Sequence, residues 1–184
     1  TYKHSLSASW KGGSDVAIKR VSCDGIADGE NTFAFSSVIP AVSDSAFENC
    51  VNLQYLNCSL DSCDHLTSIG INAFSGSALT DDLILPSSIT SIGSGGFHNC
   101  TALARITMEP NSQLISIGSN SFGNLPNLEQ IYIPARVNDI SDNAFNNSGT
   151  TDFTVYIHND NSYLPIGSYS HQNQPNFKGA ANTK

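Results

Sequence analysis

Basic residues are scarce in this sequence: eight Lys and Arg stand against sixteen Asp and Glu, for a net charge of −8. Between Ala41 and Phe145 there are ten acids and only two bases, Arg105 and Arg136. Nucleic-acid phosphates require clustered Lys and Arg, so the acidic body excludes a nucleic-acid partner. The same reasoning excludes docking on an anionic membrane surface. Charge of either sign is low at 13%, about half the usual share. Ser, Asn, Thr and Gly fill the gap, a mixture that suits a turn-rich extracellular protein better than a cytosolic helical one. No apolar run approaches the ~18 residues that span a bilayer, so no membrane insertion is expected in this segment. The chain opens at Thr1 without a methionine or a signal-peptide pattern, and is read as a processed product or a fragment.

Motifs of chemistry are missing as well. His4, His65, His98, His158 and His171 are scattered and form no H-x-x-x-H pair. No G-x-S-x-G elbow appears, and "KGGSD" (11–15) is a turn rather than a phosphate loop. Asp81 and Asp82 adjoin a strand start without a third acid. Cys58, Cys63, Asp64 and His65 gather in "CSLDSCDHL", but no second half with zinc-ligand spacing accompanies them. The expectation is a non-enzymatic protein with no metal and no cofactor.

What the sequence does contain is one phrase written five times. It reads "VSDSAF" (42–47), "IGINAF" (69–74), "IGSGGF" (92–97), "IGSNSF" (117–122) and "ISDNAF" (140–145). The phrases end on Phe47, Phe74, Phe97, Phe122 and Phe145, at steps of 27, 23, 25 and 23 residues. Other columns keep the same period. Three after each Phe stands Cys50, Ser77, Cys100, Leu125 or Ser148; nine and eleven after stand pairs such as Leu83/Leu85 and Ile131/Ile133. That pair is a period-2 signal, a strand with one face inward. Pro86 and Pro134 follow it directly and end the strand. Gly, Asn and Ser before each Phe supply the turn.

A unit of about 23 residues cannot bury its apolar side alone and must stack on its neighbours. Stacking sets equivalent strands parallel at ~4.8 Å and piles the five phenylalanines into one ladder. The expected fold is therefore a repeat solenoid of about five coils, β-rich, with short parallel strands and end caps. The expected divisions are 1–32 as an amino-terminal cap strand or hairpin (with Val16, Ile18 and Val21 in partial alternation), 33–158 as repeats, and 159–184 as a polar carboxy-terminal cap or tail.

The segments "LILPSSITSIGSGGFHNCTAL" and "IYIPARVNDISDNAF" strongly resemble the BspA-like, Treponema-type leucine-rich repeats, whose pattern is roughly L-x-x-I-x-I-P-x-x-V-x-x-I-G-x-x-A-F-x-x-C-x-x-L. The resemblance spans about residues 33 to 158. It implies a right-handed, leucine-rich-repeat-like superhelix, a place outside the cell or on its surface, and a role in adhesion and protein binding, as in surface and secreted proteins of bacteria and some protists.

Five cysteines leave one over. Cys50 and Cys100 lie two coils apart, ~10 Å, beyond the ~7 Å that a disulfide bridges, so both are expected as free buried thiols. Cys58 and Cys63 flank the insertion "SLDS" and are a candidate disulfide in an oxidising compartment, while Cys23 has no evident partner. Three sequons, at Asn57, Asn99 and Asn146, are candidate glycan acceptors.

Strand alternation also sets an outward column beside the buried one. Ten after each Phe it reads Asn57, Ile84, Thr107 and Tyr132, continued by Tyr156 after a register slip; eight after, it reads Tyr55, Asp82, Arg105 and Gln130. Tyr and Arg anchor interfaces, so Tyr55, Ile84, Arg105, Thr107, Gln130, Tyr132 and Tyr156 form the candidate protein-binding face. The partner is a host or matrix protein, or a second copy of the chain. In the competing reading, copies pack into an extracellular filament or layer as homo-oligomers.

Overall fold

Like units stacked in order place equivalent strands side by side and pointing the same way. The computed structural model describes residues 32–35, 39–57, 63–109, 111–150, 153–157 and 180–181. Its strands in chain order are β1 (Thr32–Ala34), β2 (Ala41–Val42), β3 (Tyr55–Asn57), β4 (Ser68–Ile69), β5 (Asp81–Leu85) and β6 (Ser91–Ile92). They continue as β7 (Leu103–Met108), β8 (Ser116–Ile117), β9 (Gln130–Ile133), β10 (Asp139–Ile140), β11 (Thr154–Ile157) and β12 (Ala180–Ala181). No helix occurs among the described residues.

Successive coils build two five-stranded parallel sheets, and a third sheet of two strands pairs β1 with β3. Two-residue strands line up as β2-β4-β6-β8-β10, and the longer strands β5-β7-β9-β11 line up with the two-residue β12 at their edge. Val42, Ile69, Ile92, Ile117 and Ile140 form the inward column of the first sheet, all buried. Leu83, Ile106, Ile131 and Val155 form that of the second. A parallel β-solenoid results, with one apolar core running its length.

The phenylalanine ladder lies along that core. Ring centroids of Phe47, Phe74, Phe97, Phe122 and Phe145 are separated in turn by 5.0, 5.2, 5.7 and 5.6 Å, with planes within 13° of parallel. All five side chains are fully buried. Different aromatics close the column at its ends. Phe33 meets Phe47 edge-on at 4.8 Å, with Phe35 against Phe33, and Phe153 lies tilted at 6.5 Å from Phe145.

Around each Phe the turn builds a second set of intercoil bonds. Residues two before and two after the Phe all have positive φ: Ser45, Asn72, Gly95, Asn120 and Asn143 on one side, Asn49, Gly76, Asn99, Asn124 and Asn147 on the other. Asn and Gly are the residues that enter this left-handed region most readily. The conformation aims alternate N–H groups along the solenoid axis. Thus Phe47, Phe74, Phe97 and Phe122 each donate N–H to the next coil, to Ala73, Gly96, Ser121 and Ala144 carbonyls, at 2.7 to 2.9 Å. Gly93 answers a different need, close approach: a Cβ there would sit 2.7 Å from the Gly70 carbonyl carbon of the preceding coil.

The column three residues after the Phe reaches back one coil. The Ser148 hydroxyl donates to the Phe122 carbonyl, and Cys100 Sγ donates to the Phe74 carbonyl at 3.1 Å. Cys100 is a free thiol, but Cys50 corrects the expectation made for it, because it is disulfide-bonded. The intercoil distance rules out only a bond to Cys100, and another cysteine takes that role. Cys63 is also disulfide-bonded. Cys23, Cys58 and the amino-terminal Val16, Ile18 and Val21 lie outside the described residues.

Two further differences concern the strands. The coil from Phe47 to Phe74 is the longest, and its strand β3 pairs with β1 in a separate two-stranded sheet rather than with β5. A backbone bond from Thr80 N–H to the Gln54 carbonyl, 3.1 Å, connects the neighbouring segments instead. At the other end β12, from the segment expected as a polar cap or tail, adds a parallel strand beside β11, with Tyr156 opposite Ala180.

Two outcomes are expected. Phe97→Ala empties the middle of the ladder and should cost about 3–5 kcal/mol in chemical denaturation; a loss below about 1 kcal/mol would mean that the stack contributes little. Burial pushes the Cys100 thiol up from 9.0 to about 11, against smaller opposing hydrogen bonds from Ser77. The folded state then holds a proton that the unfolded chain releases, so stability falls as pH rises from about 9 to about 11. Cys100→Ala should flatten that part of the stability–pH curve relative to the parent.

Candidate functional site

The outer face of the longer sheet follows directly from the alternation of its strands. With Leu83, Ile106, Ile131 and Val155 inward, the residues between them turn to solvent. Register sets Asp82 opposite Arg105, Ile84 opposite Thr107, Arg105 opposite Gln130, and Tyr132 opposite Tyr156. One sheet therefore gathers Ile84, Arg105, Thr107, Gln130, Tyr132 and Tyr156. Tyr55 is exposed too, at 42%, but stands on the separate β1–β3 sheet. The side chain of Asn57 lies outside the described residues.

The face has two rows crossing the strands. One is charged. Arg105 lies between two carboxylates, 3.4 Å from Asp82 on β5 and 3.7 Å from Glu129 just before β9. All three side chains are about half exposed, so these pairs contribute little stability. They neutralise the guanidinium and hold it between neighbouring strands. The second row is apolar and aromatic. Ile84 is 55% exposed, Thr107 follows, and the half-buried rings of Tyr132 and Tyr156 stack at 4.5 Å and 11°.

Beyond the strand ends, the loops after β7 and β9 enclose a cleft of about 500 Å³ lined by Met108, Glu109, Gln113, Tyr132, Pro134 and Arg136. Sequence reasoning did not find it. Its trace is the 25-residue step from Phe97 to Phe122, with a proline one place late at Pro110. The lengthened loop forms one wall.

Among the described residues no three His, Cys, Asp or Glu side chains gather as a metal site. Asp64 and His65 are exposed beside buried Cys63. His98 is partly buried, its Nδ1 without a hydrogen-bond partner, and lies against Gly123 of the next coil. No helix among the described residues is long and apolar enough to cross a membrane. Of the sequons, Asn99 is exposed and its side-chain oxygen accepts from the Asn124 amide of the next coil. Asn146 is half-buried, and the serine of its sequon, Ser148, is sealed in the core.

Similarity to known proteins agrees with this geometry. The chain resembles the pneumococcal vaccine antigen PcpA at 26% identity and a TM-score of 0.63, over 70% of this chain and 30% of that one. It also resembles the T. pallidum leucine-rich repeat protein at 25% identity and a TM-score of 0.59, over 68% and 58% of the two chains. The present chain thus spans less than two thirds of either relative. No curated protein matches the sequence. The model for the BspA type leucine rich repeat region matches residues 40–178 in six copies, and with the stacked coils described above this shows that the chain belongs to the BspA-type leucine-rich repeat family.

Proposed function

We propose that this solenoid is a non-enzymatic adhesion module, displayed at the cell surface or secreted, that holds a protein partner on the outer face of its longer sheet. The observation carrying this reading is the row Ile84, Thr107, Tyr132 and Tyr156. An exposed aliphatic side chain and a pair of stacked tyrosines sit on one parallel sheet. Aromatic anchors of this kind dominate binding energy at interfaces, and stacked rings lose little freedom when a partner lands. Disulfide bonding at Cys50 and Cys63 favours an oxidising compartment, which agrees with an extracellular place. The family's repeat architecture and the likeness to a vaccine antigen support the same location.

Assembly of copies into a filament is the weaker reading. End-to-end stacking requires bare apolar ends, whereas Phe33 with Phe35 and Phe153 cover the two ends of the ladder.

The test is a solid-phase binding assay of the whole chain against a panel of extracellular-matrix and cell-surface proteins. Replacing Ile84, Tyr132 and Tyr156 together by Ala should weaken capture of the bound panel member at least about tenfold, a little over 1 kcal/mol. Ile71→Ser, at an exposed position in the turn before Phe74, should leave capture unchanged. Equal capture by the triple variant, with its thermal unfolding intact, rejects the face; light scattering that shows large assemblies favours the filament.

A further inference from the structure

Arg136 stands apart from the other charged groups of the repeat body. Arg105, the only other Lys or Arg among the described residues, sits between Asp82 and Glu129. Arg136 is exposed and makes no ion pair among the described residues. It lines the cleft between the third and fourth coils, together with Tyr132, Met108 and Pro134. Three other polar side chains there already have partners. The Glu109 carboxylate accepts the Ser87 N–H at 3.0 Å, the Gln113 amide donates to the Asn111 carbonyl at 2.7 Å, and the Ser112 hydroxyl accepts the Leu114 N–H at 3.3 Å. Among the described residues, one cation with a planar fork of donors and no ion pair is thus left at an apolar, aromatic-walled opening. Its volume of about 500 Å³ falls within the ~300–1,000 Å³ range of ligand clefts.

We propose that this cleft is an anchor for the carboxylate of an acidic peptide segment, taken up as part of the partner protein on the strand face. This rests on the strand-face reading above and specifies its partner. A guanidinium grips a carboxylate through two parallel N–H···O bonds. A singly charged carboxylate suits the site better than a phosphate, because Glu109 lines the same opening and the coils from Ala41 to Phe145 carry ten acids against two bases. A peptide suits it better than a free acid. Tyr132 belongs both to the cleft wall and to the row Ile84–Thr107–Tyr132–Tyr156, so a chain crossing the strands along that row reaches Arg136 without a break. The segment it fits carries a Glu or Asp next to aliphatic or aromatic residues.

Amide NMR titration of the full chain tests the proposal with two capped pentapeptides, Leu-Phe-Glu-Leu-Tyr and its Gln counterpart. The Glu peptide should shift the amides of Gln113 and Ala135 together with those of Ile84 and Thr107, and bind at least about tenfold tighter than the Gln peptide. Arg136→Gln, an exposed change, should erase that preference, while Ile71→Ser, off the face, should keep it. Shifts confined to Ile84 and Thr107 and equal for both peptides would overturn the anchor and leave the strand face standing. Absence of shifts anywhere at millimolar peptide would overturn both. Inorganic phosphate displacing the Glu peptide more effectively than acetate would overturn the carboxylate assignment in favour of a phosphate site.

Discussion

Each coil's phenylalanine rests on the phenylalanine of the next, and everything else in the molecule depends on that contact. A 23-residue loop of chain has no interior of its own. Its Phe, Ile and Leu side chains become a core only when a neighbouring coil supplies the opposite wall. Ring-to-ring distances of 5.0 to 5.7 Å are close to the spacing of parallel strands, so aromatic contact and backbone pairing ask for the same rise per coil. Neither has to yield to the other. That agreement lets two-residue strands persist as a five-stranded sheet.

The low charge of the sequence is part of the same solution. Positions that an ordinary protein fills with Lys or Glu hold Asn, Ser and Gly in this chain. Left-handed residues before and after each Phe free the turn N–H groups to bond to the following coil. Side chains join them: Asn124 donates to Asn99, and Thr90 to the Thr67 carbonyl. A turn of charged, right-handed residues would leave those backbone groups to water. The charges kept on the strand face are paired with one another, Arg105 with Asp82 and Glu129, which leaves the hydrophobic row as its distinctive chemistry.

Much of this was legible because the repeat made side-chain columns visible. The spacing of Phe47 to Phe145 implies the ladder, and the alternation of Leu83/Leu85 and Ile131/Ile133 implies which neighbours face outward, so Ile84, Tyr132 and Tyr156 can be placed from the columns alone. Features carried by the backbone leave a weaker trace. Asn and Gly around each Phe suggest turns but not intercoil bonds, since an N–H leaves no mark in a sequence. Tyr55 shares the outward column, yet its coil is lengthened and β3 pairs elsewhere. β12 is two alanines with no alternation to find. The disulfide at Cys50 escapes the spacing argument because distance along the solenoid addresses one pairing only. The cleft arises between two loops of different coils, and no single repeat contains it.

The turn ladder bonds in both directions. The N–H groups of Phe47, Phe74, Phe97 and Phe122 point to the coil that follows, whereas those of Gly70, Gly93 and Gly118 point back to the coil before, so each unit offers equivalent donors and acceptors to its two neighbours. Duplication or loss of a complete unit therefore preserves all pairing, whereas inserting a single residue within a phrase moves the left-handed Asn, the phenylalanine and the inward isoleucine out of line at once. The stack thus tolerates a change in length by whole repeats, and in this chain the extra residues of the 25- and 27-residue steps fall in the spacers between the phrases, where the stack stays intact.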